Sequence, residues 1–231
     1  MLKIENVQTV GWEAAIRGMR NPMNSWAKSD SFFQYVIDGQ AEDFVGRNDL
    51  ELAMKLRNAG TDHRKFMRMI AVYLDVTAPL YWWKEYDTYK VGTVANSCST
   101  MHKIAAKEFD VNDFSHEHIE DLDGDEYNTS YGLLLRTVDI LNYYRQKYLE
   151  TRTKAMKEEA KRASLMKTYW WQMIQLLPSS YNQRRTIMLN YEALANMYHS
   201  RRRHKLDEWH TFCDWIESLP HAELITGKEK E

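Results

Sequence analysis

Alternating apolar and polar residues predict two β-strands in the first third of the chain. Residues 3–10 have the composition of a short strand. In residues 66–77 every second position is aliphatic, and these positions are Ile70, Val72, Leu74 and Val76. A period of two residues with β-branched side chains is typical of a strand, although the cationic stretch 63–68 at its start is also compatible with a helix.

Helical periodicity and a scarcity of Gly and Pro predict that much of the remaining chain is helical. The longest such stretch, 130–177, makes the C-terminal half a long helical region. The predicted helices lie within 11–17, 49–59, 79–89, 130–177, 181–203 and 206–219. The polar segments 21–40, 90–99 and 110–125 are predicted to be irregular and the tail 227–231 to be frayed. Without a repeat or a linker, we expect a single domain covering residues 1–231.

Composition then narrows the class of protein. The 31 Lys and Arg against 33 Asp and Glu leave a net charge of −2, which excludes a general nucleic-acid-coating surface. No run of about 18 apolar residues and no signal-peptide core occur, so we expect neither a membrane-spanning nor a secreted protein. Cys98 and Cys213 allow one disulfide but no disulfide framework, which fits a reducing cytoplasm. We therefore expect a cytoplasmic protein with no nucleic-acid or membrane partner.

The residues able to bind metals lack the spacing that metal sites need. A helix–loop–helix calcium loop requires glycine at position six and glutamate at position twelve. Counted from Asp121, the glycine is fourth and position twelve is Gly132. His116 and His118 have no third ligand at motif spacing. We expect a solvated acidic loop at 121–126 and no bound metal.

Three further features each allow two interpretations. The cationic run 201–205 is either a solvated helix end or a phosphate site. The aromatic band 80–89 is either core or a stacking surface for a flat ring system. Cys98, within the small polar stretch 95–100, is either a buried inert thiol or part of a polar ligand pocket.

The most specific spacing lies in the C-terminal third. Asn190, Asn196 and Arg201 follow Pro178 after twelve, eighteen and twenty-three residues. Preceded by Leu177, this pattern resembles the C-terminal motif of the flavin-dependent thymidylate synthases, or thymidylate synthase complementing proteins. On one helix, we expect steps of six and five residues to keep the three side chains on neighbouring faces, lining one pocket. The resemblance implies that the two asparagines contact the flavin and that Arg201, the catalytic residue, contacts dUMP and helps to ionise uracil N3.

The central segment resembles the family stretch Arg-His-Arg-x-x-Ser-x-Asn-Glu-x-Ser-x-Arg more loosely. A gap-free alignment from Ala78-Pro79 puts it on residues 88–100 with Cys98 at the serine near the uracil, whereas a one-residue shift puts Ser99 there. Both alignments stay open. Asp62-His63 before Phe66 is similar to a family Glu-His whose histidine lies near the flavin. The resemblance implies dUMP contacts from Glu85, Asn96, Ser97, Cys98, Ser99 and Thr100, and FAD contacts from His63, Thr88, Tyr89 and Lys90.

The sequence departs from the family pattern at two places where the family has cations that bind anionic groups. Thr88-Tyr89-Lys90 keeps only one cation of Arg-His-Arg, and Ile174 stands where the family has an arginine four residues before the Leu-Pro proline. The cations that could compensate are Arg184, Arg185, Arg202 and Arg203. A catalytically inactive nucleotide-binding relative is therefore an alternative, as is a related pyrimidine one-carbon transferase.

For the fold, the resemblance implies an α/β protein with a small, mostly antiparallel sheet wrapped by long helices. It further implies a homotetramer whose active sites are shared between subunits. The implied reaction converts dUMP to dTMP. Methylenetetrahydrofolate donates the carbon, reduced FAD donates a hydride, and NADPH reduces the flavin.

Overall fold

The computed structural model describes residues 2–35, 41–119, 129–154 and 158–228. In these ranges the strands are β1 (Lys3–Val10), β2 (Phe32–Tyr35), β3 (Ala41–Phe44), β4 (Ala71–Pro79), β5 (Val94–Ser97) and β6 (Asn182–Asn190). The α-helices are α1 (Trp12–Arg20), α2 (Arg47–Asn58), α3 (Leu80–Tyr86), α4 (Thr100–Lys103), α5 (Ser130–Thr153), α6 (Glu159–Leu176), α7 (Tyr191–Arg201), α8 (Asp207–Glu217) and α9 (Glu223–Thr226). Short 3₁₀-helices lie at Asn21–Met23, Trp26–Lys28, Arg64–Met69 and Val111–Asp113.

The strands form two antiparallel sheets. The larger has four strands in the order β1-β4-β6-β5. The smaller pairs β2 with β3, in a register that puts Phe32 opposite Phe44 with the ring centres 4.8 Å apart. Together with the long helices α5 and α6, the small antiparallel sheet confirms the predicted α/β class.

Strand β4 shows the predicted alternation over a shorter span. Val72, Leu74 and Val76 are buried on one face, while Tyr73 is exposed on the other. The preceding residues, Arg64–Met69, form a 3₁₀-helix. The prediction that the strand begins at residue 66 is therefore wrong, and the helical alternative for its start describes this region better.

The prediction of one helix over residues 181–203 is wrong in its first half, which is strand β6. Gln183, Ile187 and Leu189 are buried, whereas Arg184 and Thr186 between them are exposed. A polar glutamine on the inward face hides the period of two, and tertiary packing overrides the local helical preference. The predicted loop 90–99 contains β5, whose four side chains are all exposed, so no apolar alternation marks this strand.

The described chain separates into two compact units that are interleaved in sequence. The first comprises 77–86 and 97–185, and the second comprises 2–76, 87–96 and 186–231. Strands β4 and β6 each contribute residues to both units. The single domain over 1–231 stays a prediction. Among the described residues, no helix combines the length and the apolar character needed to cross a membrane.

Each unit has its own core. In the first, buried side chains from α5 and α6 pack around Phe114, and these are Leu134, Val138, Leu141 and Met173. In the second, Trp12 packs edge-to-face on Tyr191 with ring centres 5.2 Å apart. The Tyr191 hydroxyl donates a 2.6 Å hydrogen bond to the Pro220 carbonyl, so this buried polar group is satisfied.

Candidate functional site

Helix α7, in the second unit, carries all three residues of the C-terminal spacing. Asn190 is its N-cap, because the side-chain oxygen accepts a 2.9 Å hydrogen bond from the backbone N–H of Ala193. Asn196 lies in the middle of the helix and is exposed. Arg201 is the last helical residue and is half-buried. The cap begins the helix and thereby sets the positions of the other two residues.

Asn196 and Arg201 have different contact partners in the second unit. Five residues correspond to roughly 140° around a helix axis, so Asn196 and Arg201 face different directions. Asn196 contacts Arg64, whereas Arg201 contacts Tyr89. The expectation of neighbouring faces is therefore corrected, because the step of five residues places the two side chains on separate faces.

Arg201 is held by two aromatic rings. Its Nε–H donates a 2.9 Å hydrogen bond to the Tyr89 hydroxyl. Its guanidinium carbon lies 4.8 Å from the ring centre of Trp209 and 5.5 Å from that of Tyr89. Cations within about 6 Å of an aromatic face are attracted by the ring quadrupole. The contacts fix the plane of the guanidinium, which suits recognition of a planar anion.

The loop that carries Tyr89 also approaches Asn190. Gly92 in this loop has φ +72°, and a Cβ built there would lie 2.6 Å from Nδ2 of Asn190. Only glycine fits both the left-handed backbone and this close approach. Thr88 and Lys90, the other predicted flavin contacts in the loop, are exposed.

Asn196 belongs to a polar cluster on the other face of α7. Arg64 donates from Nη2 to the Asn196 side-chain oxygen at 3.3 Å and from Nε to Glu192 at 3.3 Å. Arg68 also pairs with Glu192. His63, the predicted flavin-orienting histidine, is exposed and occupies the N-cap position of the 3₁₀-helix that carries both arginines, without a side-chain capping hydrogen bond.

A basic cavity of about 540 Å³ opens beside Asn196. Burial, and then the charge of Arg64, lower the pKa of the Arg57 guanidinium. Two guanidiniums that repel each other are stabilised by an anion between them. The other residues lining the cavity are Ala195, Tyr198, His199, Ser200, Arg202, Ile225 and Thr226. The positive charge of the cavity suits an anionic group, although Arg57 already donates to the Leu224 and Ile225 carbonyls. Asn190 and Arg201 do not line this cavity.

In the first unit, the predicted nucleotide segment has a fixed backbone and an exposed thiol. The Cys98 N–H donates to the Arg184 carbonyl at 2.9 Å, and the Cys98 carbonyl accepts from the Gln183 amide at 2.9 Å. The Cys98 side chain is exposed and is not in a disulfide. The interpretation of Cys98 as a buried inert thiol is therefore wrong. It is Cys213 that is buried, and burial raises the pKa of its thiol to about 11.

Ser99 has a structural task that distinguishes it from Cys98. Its hydroxyl accepts a 3.1 Å hydrogen bond from the His102 backbone N–H and caps α4. Ser97 is exposed beside it, as is Asn96 in the second unit, while Thr100 and Glu85 in the first unit are half-buried. Of the two open alignments, the one that places Cys98 at the base-facing position leaves the cap of α4 undisturbed.

Most of the aromatic band forms core. Trp82, Trp83 and Tyr86 are buried, and the Trp83 indole donates to the Gln183 carbonyl at 2.8 Å. The guanidinium of Arg185 lies 4.2 Å from the Trp83 ring centre. Core packing therefore describes these residues, whereas Tyr89, in the second unit, holds Arg201. Sequence analysis missed Arg64 and Trp209, since no local pattern marks them.

Metal-binding candidates give no cluster in the described ranges. No group of three or more His, Cys, Asp or Glu residues is placed there to hold an ion. His116 instead contacts the Phe114 carbonyl through Nδ1 at 2.8 Å. The acidic run 121–126 lies outside the described residues.

Comparison with known proteins gives structural likeness but no sequence match. No protein-family model matches the chain, and no curated protein does. Thymidylate synthase X (ThyX) from Helicobacter pylori, solved with FAD and dUMP, superposes with a TM-score of 0.64 at 14% identity over 98% of both chains. Another structure of the flavin-dependent thymidylate synthase from Helicobacter pylori, also with FAD and dUMP, gives 0.61 at 16% identity, covering 99% of this chain and 100% of that chain. A UMP/dUMP methylase, PolB, from Streptomyces cacaoi bound with 5-Br dUMP gives 0.55 at 14% identity, covering 94% and 89%.

Proposed function

We propose that this chain, which has the fold of the flavin-dependent thymidylate synthases, methylates C5 of dUMP with FAD as its cofactor. The observation that carries the proposal is Arg201, which two aromatic rings orient at the end of the Asn190-capped helix. The chain thereby combines the C-terminal motif of the family with a local structure able to present a fixed cation.

Arg201 is the residue to which we assign stabilisation of the uracil. An arginine stays protonated throughout the physiological pH range. Its charge therefore favours the ionised form of uracil N3, on which negative charge develops as C5 becomes nucleophilic. Because Tyr89 and Trp209 fix the guanidinium in advance, no reorganisation is needed when this charge appears.

Asn196, Arg64 and Arg57, with His63 nearby in sequence, are the residues that we assign to the flavin. The two guanidiniums and Arg202 in the cavity suit the pyrophosphate of FAD. When bound, FAD supplies the hydride that takes the transferred carbon to the methyl level. Asn190 holds the start of α7, and we assign the exposed Thr88 and Lys90 to the same cofactor.

Cys98, with Ser97, Asn96 and Thr100, is assigned to the nucleotide. Because the backbone of Cys98 is already fixed, its side chain can contact a base without the cost of ordering the backbone at binding. We assign Glu85 to the same ligand and give Ser99 the capping role. No protein nucleophile is needed in this assignment.

The remaining partners follow from the chemistry. The carbon of methylenetetrahydrofolate is at the formaldehyde oxidation level, so forming a methyl group requires a hydride, and NADPH is the proposed source of electrons for the flavin. We propose a cytoplasmic homotetramer with active sites shared between subunits. Sedimentation of the purified chain tests the tetramer.

Three measurements on the purified protein test the function. We expect a flavin absorbance band near 450 nm, calorimetric binding of dUMP, and tritium release from C5-labelled dUMP that depends on methylenetetrahydrofolate. Product mass spectrometry distinguishes methylation from hydroxymethylation. A colourless protein that binds neither FAD nor dUMP would contradict the proposal.

A second candidate, a nucleotide-binding relative without activity, is favoured by the position of Ile174. This residue packs against the apolar core of the first unit, so it replaces the family arginine with a purely structural side chain. The inactive relative is expected to bind dUMP while releasing no tritium. Binding and turnover measured on the same preparation distinguish the two candidates.

A further inference from the structure

A second basic cavity lies entirely within the first unit, which is rich in helices. Its volume is about 560 Å³, in the range of small-ligand sites. Its ionisable side chains are His102, Lys103, Arg145 and Arg152, and no carboxylate lines it. The remaining lining residues are Met101, Ile104, Ala105, Ala106, Tyr148, Leu149 and Trp170.

The spacing along α5 places its cations in the same cavity wall. Arg145, Leu149 and Arg152 are separated by four and three residues, so they lie on one face of the helix. The facing wall is α4 and the residues that follow it. It is held in place because the Trp170 indole of α6 donates a 2.9 Å hydrogen bond to the Met101 carbonyl.

No carboxylate among the described residues lines the cavity beside these cations. Nε of Arg145 is buried and has no hydrogen-bond partner in the described part of the chain. No carboxylate among the described residues pairs with Lys103 or Arg152. A buried donor without a partner is destabilising, and clustered positive charges repel one another. A bound anion would remove both penalties.

We propose that this cavity binds the phosphate group of a ligand, with Arg145, Arg152 and Lys103 as its contacts. The planar guanidinium forks suit two phosphate oxygens each, and the lysine supplies a third point charge. The phosphate is either that of the nucleotide or a free phosphate ion. Only the assignment of the phosphate to the nucleotide rests on the proposed function. Phosphate binding by the cavity is argued from its own lining charges.

Calorimetry on the full chain tests the site with inorganic phosphate, dUMP and deoxyuridine. Arg145→Gln is compared with Arg136→Gln, an exposed arginine nine residues earlier on the opposite face of α5. We expect Arg145→Gln to weaken phosphate binding by roughly 10- to 100-fold, the loss of one charge-assisted contact, while Arg136→Gln leaves it unchanged. An equal loss of dUMP affinity identifies the nucleotide as the source, and unchanged dUMP affinity identifies free phosphate.

Thermal melting separates ligand binding from a structural role. Because Arg145 has an unpaired buried donor, Arg145→Gln is expected to keep or raise the melting temperature without phosphate and to lose the stabilisation that phosphate gives the wild type. The proposal is overturned if the wild type binds no phosphate at millimolar concentration. It is also overturned if Arg145→Gln and Arg136→Gln change the phosphate affinity equally. Flavin absorbance does not depend on this cavity, so failure here is distinguishable from failure of the proposed function.

Discussion

The Nε–H of Arg201 donates a 2.9 Å hydrogen bond to the hydroxyl of Tyr89, 112 residues earlier in the chain. Tyr89 stands where the gap-free alignment places the histidine of Arg-His-Arg, and it positions the catalytic candidate directly. With Trp209 on a second side, the guanidinium has a defined plane before any ligand binds. The departure from the family signature therefore coincides with a contact that orients Arg201.

Tyr89→Phe tests this contact. The variant keeps the ring and its attraction for the cation but removes the hydrogen bond, a loss of about 0.5–1.5 kcal/mol. We expect dUMP affinity to fall by roughly 2- to 10-fold, with little change in melting temperature. Calorimetric titration measures the affinity. An affinity equal to that of the wild type would show that Tyr89 does not orient Arg201 for the ligand.

Arg201→Ala is expected to weaken dUMP binding by about 2–3 kcal/mol, the size of a lost charge-assisted contact. The control is Arg17→Ala, because Arg17 is an exposed arginine of the same unit to which no ligand contact is assigned. We expect the control to bind as the wild type does. Similar affinities in both variants would mean that the C-terminal spacing is coincidental.

Substitutions at positions 98 and 99 separate the two alignments. We expect Cys98→Ser to preserve turnover and Cys98→Val to reduce it, since only serine keeps a polar group at the exposed position. Ser99→Ala removes the cap of α4 and is expected to cost about 1 kcal/mol of stability with little effect on turnover. Turnover and melting temperature are measured on each variant. Loss of turnover in Ser99→Ala alone would favour the shifted alignment.

Stability is expected to fall in acid because of Asp49. Burial alone would raise its pKa, but hydrogen bonds from Ser29, Ser31 and Arg20 outweigh burial, so the pKa lies below its ordinary value of 3.8. A lowered pKa in the folded state stabilises the protein above the unfolded pKa, and this stabilisation is lost as the pH falls through the folded pKa. Melting temperatures between about pH 6 and about pH 3 measure the loss.

Asp49→Asn is expected to flatten this acid dependence. It also leaves the buried Arg20 without its partner, which costs about 3–5 kcal/mol near neutral pH. The control on the same helix is Glu51→Gln, because the exposed Glu51–Arg47 pair contributes only about 0.3–0.5 kcal/mol. Ser31→Ala provides a milder second variant. If the melting temperatures of both Asp49→Asn and Ser31→Ala depend on pH as that of the wild type does, Asp49 is not the cause of the acid sensitivity.

The sequence by itself determined the features that depend on local periodicity and spacing. Strand β1 matches the predicted residues 3–10, and helix α8 lies within the predicted 206–219. The interval from Pro178 to Arg201 led to the resemblance whose implied fold is confirmed. Such features can be predicted from the sequence because each residue in them is constrained chiefly by near neighbours. These neighbours are three or four positions away in a helix and two positions away in a strand.

Only the tertiary structure decided which distant side chains meet. Strand β6 becomes recognisable once Gln183 is seen to be buried. The backbone of Cys98 is fixed by the Arg184 carbonyl and by the side-chain amide of Gln183, both distant in sequence. Trp209 and Tyr89 reach Arg201 from segments far apart in sequence. Likewise, the unpaired Nε of Arg145 is visible only when its helix is packed. Long-range contacts of this kind depend on how whole elements pack, which no local period of residues encodes.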